Sequence, residues 1–328
     1  MDPFAFRPDV TRTAAMDGAI RRALDDSVAR VLDEAARHDL LGDGADRAAW
    51  HEALLATRGA PPQLWACYHD LVQAILRGDA DAVPALAADL LARRPDRAGQ
   101  PGTIVTISDA DLGRDDAFRY RAVIDSDPGR PLNLQPVEVD EVRRIQALVD
   151  AGRALLDRTD PALLDEIDTL GHQIVLATNA SGGFGGAATV FLWGAVILNP
   201  DRVPDRVTLV ESLAHETAHA LLFGMTLGAD LTTNDPSERY GSPLRPDPRP
   251  IEGIVHATYV LARMNYCLER LREHPELSPA ERASVATKIA RNTASYAAGL
   301  ETVVAHARFT PDGAAIFAAC REAMAGNH

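Results

Sequence analysis

Apolar residues recur at three- and four-residue intervals over most of the first 95 positions of the chain. Ile20, Ala23, Leu24, Val28, Val31 and Leu32 fall on one helical stripe. Thr13 or Asp17 can cap that segment, which runs toward His38. The same spacing predicts helices over 47–57, 62–77 and 80–93. Residues 93–102, rich in Arg, Pro and Gly, read as a linker. The period then shortens. Residues 103–108 alternate as a strand does, and 118–124 (Phe-Arg-Tyr-Arg-Ala-Val-Ile) form a second strand candidate. Helical spacing returns over 139–156 and 161–170. Residues 174–178 and 189–198 read as strands, with Gly194 as a bulge in the latter. The glycine-rich run 179–186 reads as a mobile hairpin turn between them. It lacks the Gly-Lys-Ser/Thr ending of a phosphate loop and does not open a helix, so it gives no nucleotide site. Beyond it, helices are expected from Pro204-Asp205 to a stop at Gly224, from 251 to about 272 with Pro250 as first residue, over 279–308 and over 312–325. Together the pattern predicts an α+β, mostly helical chain, divided into a helical region 1–98 and a second region 99–328.

The first of those late segments carries chemistry. Val207 to Phe223 is a largely apolar stretch that contains His215-Glu216-Thr217-Ala218-His219. On a helix, residues four apart share a face, so both imidazoles can reach one metal ion. Glu216 then projects beside that ion, where it can hold or deprotonate a bound water. The plainer alternative is two helix-face histidines satisfied by carboxylates such as Glu211, one turn before His215. With this motif the expected architecture becomes a zincin-like metal helix preceded by a small antiparallel sheet, with helical N- and C-terminal parts. A strand just before the metal helix, 190–198, can hold an extended peptide by edge pairing.

Two histidines need a further protein ligand for a defined site. Glu252 and His256 are four apart and share a face of the next helix. Glu252 completes a two-His, one-carboxylate set, suited to catalytic zinc or to iron(II) with open positions; His256 completes a three-His set. As alternatives, Glu252 is a first-turn acid favoured by the helix dipole, and His256 a core or supporting histidine. The sequence leaves this choice open. Before that helix, four prolines alternate with other residues through Pro250 and fix an extended path carrying Arg245 and Arg249. A guanidinium pairs bidentately with a carboxylate, as an oxo-acid co-substrate requires; bracing a loop against Asp247 or Glu238 is the competing role.

Composition narrows the partners. Across 328 residues the net charge is −14, which argues against non-specific nucleic-acid binding. Lys288 is the only lysine. The three cysteines, Cys67, Cys267 and Cys320, are odd in number and far apart, as suits a reducing compartment. There is no signal-like N-terminus and no run of membrane-spanning length, so a cytoplasmic, soluble protein is expected.

The run from His215 to Gly224, followed by 238–264 and preceded by a strand ending Leu-Trp-Gly-Ala-Val-Ile-Leu-Asn-Pro200, resembles the HExxH-motif peptide-modification family. These are the 2-oxoglutarate-dependent peptide β-hydroxylases of ribosomal peptide natural product pathways. The resemblance covers about residues 170–270. It implies iron(II), 2-oxoglutarate and oxygen, and hydroxylation of an unactivated β-carbon in a precursor peptide. It places the metal motif on His215 and His219, with Glu252 or His256 as third ligand. It maps the proline-arginine segment onto Arg245 to Pro250, and turns Glu216 from a proteolytic base into an orienting or proton-managing group; Arg245, Arg249 and Ser242 are the cofactor-binding candidates. The rival readings are a zinc peptidase with Glu216 as general base and Glu252 as ligand, and a peptide-binding module whose structural metal is closed by both Glu252 and His256.

Overall fold

The computed structural model describes residues 2–38, 47–56, 60–95, 99–125, 131–179, 183–242 and 247–326. The chain is mostly helical with a small sheet. Its helices are α1 (Val10–Arg37), α2 (Arg47–Ala56), α3 (Gln63–Leu76), α4 (Val83–Ala92), α5 (Asp109–Leu112), α6 (Arg114–Ile124), α7 (Val139–Thr159), α8 (Pro161–Leu170), α9 (Arg206–Thr226), α10 (Ile251–Leu271), α11 (Pro279–His306) and α12 (Pro311–Ala325). The strands are β1 (Thr103–Thr106), β2 (Leu134–Gln135), β3 (Gln173–Leu176), β4 (Thr178–Asn179), β5 (Gly186–Ala187) and β6 (Ala195–Leu198). No described helix is long and apolar enough to cross a membrane.

Contacts divide the chain into two compact units. The first comprises Met1–Thr13, Ala147–Ile167 and Val203–His328; the second comprises Ala14–Gln146 and Asp168–Arg202. Both are discontinuous, so the sequence boundary at 98/99 falls inside the second unit.

The second unit holds the sheet, in the order β1-β3-β6-β5. β1, β3 and β6 run parallel, and only β5 is antiparallel to its neighbour β6. This corrects the expectation of a small antiparallel sheet; β2 and β4 make a separate antiparallel pair. The cause is legible in the side chains. Ile174, Val175 and Leu176, and all four residues of β6, are buried without alternation, as happens where a strand is covered on both faces. Two further expectations fall with it. The run 179–186 does not close a hairpin between β3 and β6, because those strands are parallel. Nor is 190–198 an edge that can take up a peptide: Val190–Leu192 is a 3-10 turn, and β6 is paired on both sides. Gly194 follows that turn with φ of +89°, and a Cβ there would meet the His172 ring at 2.2 Å. Only glycine suits both demands.

Residues 118–124 are helical, not a strand. Asp115 and Asp116 occupy the first turn of α6, where the helix dipole favours acids. Ala117, Tyr120 and Val123 are buried at three-residue intervals. The interrupting Arg119 is itself buried and pairs with Asp70, Asp89 and Asp116, so it only mimics a solvent-facing strand position. In α1, the cap is Asp9, whose carboxylate accepts from the Arg12 N–H at 2.7 Å. Thr13 and Asp17 lie inside the helix. Asp17 instead accepts from Trp193 Nε1 and Arg21 Nε, each at 3.0 Å.

The first unit is helical. α9 is capped by Asp205, which accepts from the Thr208 N–H at 2.7 Å. It runs past the expected stop: Gly224 is a buried interior residue, and the turn out is made by Leu227 (φ 49°) and Gly228 (φ 79°). Pro250 precedes α10 in an extended conformation as its cap residue.

Candidate metal centre

His215 and His219 stand one turn apart on α9, with ring centres 5.2 Å apart. His256, on the second turn of α10, lies 6.1 Å from His219. All three line one cavity of about 640 Å³ together with Phe223, Ser242 and Arg249. The sequence candidates His215, His219, His256, Glu252, Ser242 and Arg249 thus come together. Arg245 lies outside the described residues.

Burial pushes the His215 imidazole down to about 4, against the opposing charge of Glu211. It pushes His219 well below the usual range, helped by the neighbouring His215 and His256. These rings are therefore neutral at physiological pH, which is the ligating form. The alternative in which Glu211 satisfies His215 does not hold. Glu211 is engaged by Lys288 Nζ at 2.5 Å, Arg291 at 2.7 Å and Asn292 at 2.9 Å.

Glu252 is already occupied. Its Oε1 accepts from the Leu231 N–H at 2.9 Å, and its Oε2 from the Thr232 N–H at 3.0 Å and hydroxyl at 2.7 Å. Oε1 also stands 3.4 Å from His256 Nε2. Burial alone would raise its carboxyl, but His256, Thr232 and Leu231 together hold it below its ordinary value. The 231–232 segment is pinned from the other side too: a Cβ on Gly313 would meet Leu231 O at 2.0 Å, and Thr310 N donates to the same oxygen at 2.9 Å. Glu252 thus holds the 231–232 segment and stands beside His256, where a carboxylate can support a histidine ring.

Glu216 is 6% exposed and does not line the cavity. Its Oε1 is 3.9 Å from His215 Nε2. Burial pushes its carboxyl up to about 8. Arg249 shares the cavity, with its Nε 3.0 Å from Asp247 Oδ2. Its backbone pairs with Tyr240 in both directions, at 2.8 and 2.9 Å, which fixes where the side chain starts.

Metal–nitrogen bonds of about 2.1 Å put two ligating imidazole centres about 5 Å apart. The His215–His219 pair stands at that spacing. His256 is wider and nearly parallel to His219, at 22°. Among the described residues no three His, Cys, Asp or Glu groups converge on one point as they stand. The donor chemistry nevertheless fits an ion: neutral imidazoles on one helix face, a third on the facing helix, and a carboxylate behind it.

Sequence reasoning missed two participants. Met264 meets His215, with Sδ 3.3 Å from Nδ1. It lies eight residues beyond His256, on the same helical stripe, which was the available signal. The Leu231–Thr232 amides carried no signal, because backbone groups leave none. No protein-family model and no curated protein matches the chain.

Proposed function

We propose that the cavity is the active site of an iron(II)- and 2-oxoglutarate-dependent peptide β-hydroxylase. The observation that supports it best is Arg249 lining the same cavity as His215, His219 and His256. A cation for the remote carboxylate of an oxo acid is there with the imidazoles, and a peptidase does not need one. Iron(II) with the oxo acid and oxygen would supply the oxidising power.

The chain's own residues do the rest. His215, His219 and His256 would hold the ion, with Glu252 keeping the His256 ring in place. The Arg249 guanidinium would take the far carboxylate bidentately, releasing or sharing Asp247. Ser242, which lines the same cavity, can offer a hydroxyl to that acid. Glu216, buried beside His215 and outside the cavity lining, would act as an orienting or proton-managing group. The cavity volume lies in the range of sites that enclose a small ligand. The precursor peptide as substrate rests on the family resemblance.

The zinc-peptidase reading has one observation in its favour: Glu216 Oε1 is near His215 Nε2, where a water-activating base would sit. The structural-metal reading needs Glu252 and His256 to close the site together, and Glu252 is already bound to Leu231 and Thr232.

The test is an anaerobic visible spectrum of metal-free protein given iron(II) and then 2-oxoglutarate. A weak charge-transfer band that requires both, and is lost in Arg249→Ala or Arg245→Ala, is the expected result. Tight zinc uptake with no such band would overturn the hydroxylase in favour of the peptidase. Unfolding on metal removal would favour the structural ion.

A further inference from the structure

His215 and Met264 come from different helices, α9 and α10, and meet at 3.3 Å between Nδ1 and Sδ. Met264 is only 8% exposed. A thioether has no proton to give and can only accept. The contact is therefore a hydrogen bond only when Nδ1 carries the proton, and that tautomer leaves the Nε2 lone pair bare. Glu211, one turn before His215 on α9, is taken by Lys288, Arg291 and Asn292.

We propose that Met264 is the positioning residue of His215, fixing its ring and its Nδ1–H tautomer so that Nε2 is presented to a metal ion. This rests on the metal centre proposed above and adds a residue to it. Ligating histidines commonly lean on a carboxylate, a carbonyl or water. A thioether is a weaker, uncharged acceptor. It orients the ring without adding negative charge, whereas His256 leans on the Glu252 carboxylate. The cavity thus contains two imidazoles of different electronic support, a poorer donor on α9 and a richer one on α10.

The experiment compares zinc(II) and iron(II) affinity, by competition with a chromophoric chelator, in the full-length wild type, Met264→Leu, Met264→Gln and His215→Ala. Nitrogen NMR of the metal-free imidazoles and metal-free melting temperatures accompany it. Leu has nearly the volume of Met but accepts no proton. It is expected to weaken affinity about 10- to 100-fold and to move His215 from a pure Nδ1–H signal to a tautomer mixture. Gln, whose amide oxygen accepts the same proton, is expected to recover most of the affinity. Unchanged affinity in Met264→Leu, with uptake abolished in His215→Ala, overturns the role of Met264 and leaves the metal centre standing. Equal weakening by Leu and Gln also overturns it, since packing then explains both. A wild-type spectrum with the proton on Nε2 overturns it without any variant, should the variants fold poorly. No metal uptake by the wild type removes the metal centre and the role of Met264 with it.

Discussion

Both oxygens of Glu252 are engaged before any ion is considered, which favours an anchor over a ligand. Glu252→Ala strands the buried Leu231 and Thr232 amides, and an orphaned buried amide costs about 1–3 kcal/mol. The expected loss of metal-free stability is about 2 kcal/mol by urea unfolding, with a smaller loss in Glu252→Gln, which keeps one acceptor oxygen. Unchanged metal-free stability combined with abolished metal binding would make Glu252 a ligand after all. Glu216 calls for a different substitution. Its carboxyl is held up to about 8 by burial, so at pH 7 glutamine is nearly isosteric with the neutral acid. Glu216→Gln is expected to stay within about 1 kcal/mol of wild type and to keep the iron–oxo acid absorption band, while His215→Ala loses it. Equal loss in both variants would support the peptidase.

At the scale of elements, the starts of α9 and α11 are tied together. Arg206 Nε donates to Glu281 Oε1 at 2.6 Å. Glu281 also completes a capping box with Ser278. The Arg206 hydrogen bond, above all, brings the Glu281 carboxyl down to about 2 against the opposing effect of burial, with Ser278 adding to the lowering. A depressed carboxyl binds fewer protons folded than unfolded, so it contributes stability above its ordinary value of 4.5 and loses it as pH falls toward 2. The pair is about a fifth exposed, which limits the effect to about 1 kcal/mol. Urea midpoints at pH 7 and pH 3 are expected to converge more in Glu281→Gln than in wild type. An identical drop in both proteins would assign the acid sensitivity elsewhere. Most helices were legible in the sequence because their buried stripes obey one period, and so were both histidines of the α9 motif. The α6 segment was not, because buried ion pairs put Arg119 where the pattern expects solvent. The sheet was misread because full burial of β3 and β6 removes the alternation that marks orientation. The roles of Glu252 and Met264 were hidden for another reason: each depends on a partner from a distant segment.

At the scale of the whole chain, the first unit is assembled from three separate stretches, and one buried carboxylate joins all of them. Glu166 lies on α8, and its Oε2 accepts from Arg12 of the N-terminal stretch at 2.6 Å. Its Oε1 accepts from Arg263 of α10. All three side chains are no more than 3% exposed. The same guanidiniums reach the backbone oxygens of Ala5 and Phe6, so the first residues are held through this cluster. No local pattern announces such an arrangement, which is why a boundary near residue 98 was the natural reading. One carboxylate facing two guanidiniums leaves an excess positive charge. Arg263 sets part of it over the rings of Phe6 and Tyr266, at 5.3 and 5.6 Å, where ring faces attract cations. Removing one member of a buried ion cluster leaves uncompensated charge and costs about 3–5 kcal/mol. Glu166→Gln keeps the shape but loses the charge, and is expected to fall near the lower end of that range in urea unfolding. Because Arg12 then loses its ionic partner, the Arg12–Thr13 bond should become the first site of tryptic cleavage in native protein. A loss below about 1 kcal/mol, with the N-terminal stretch still protected, would mean that the aromatic rings and backbone carbonyls hold both guanidiniums unaided.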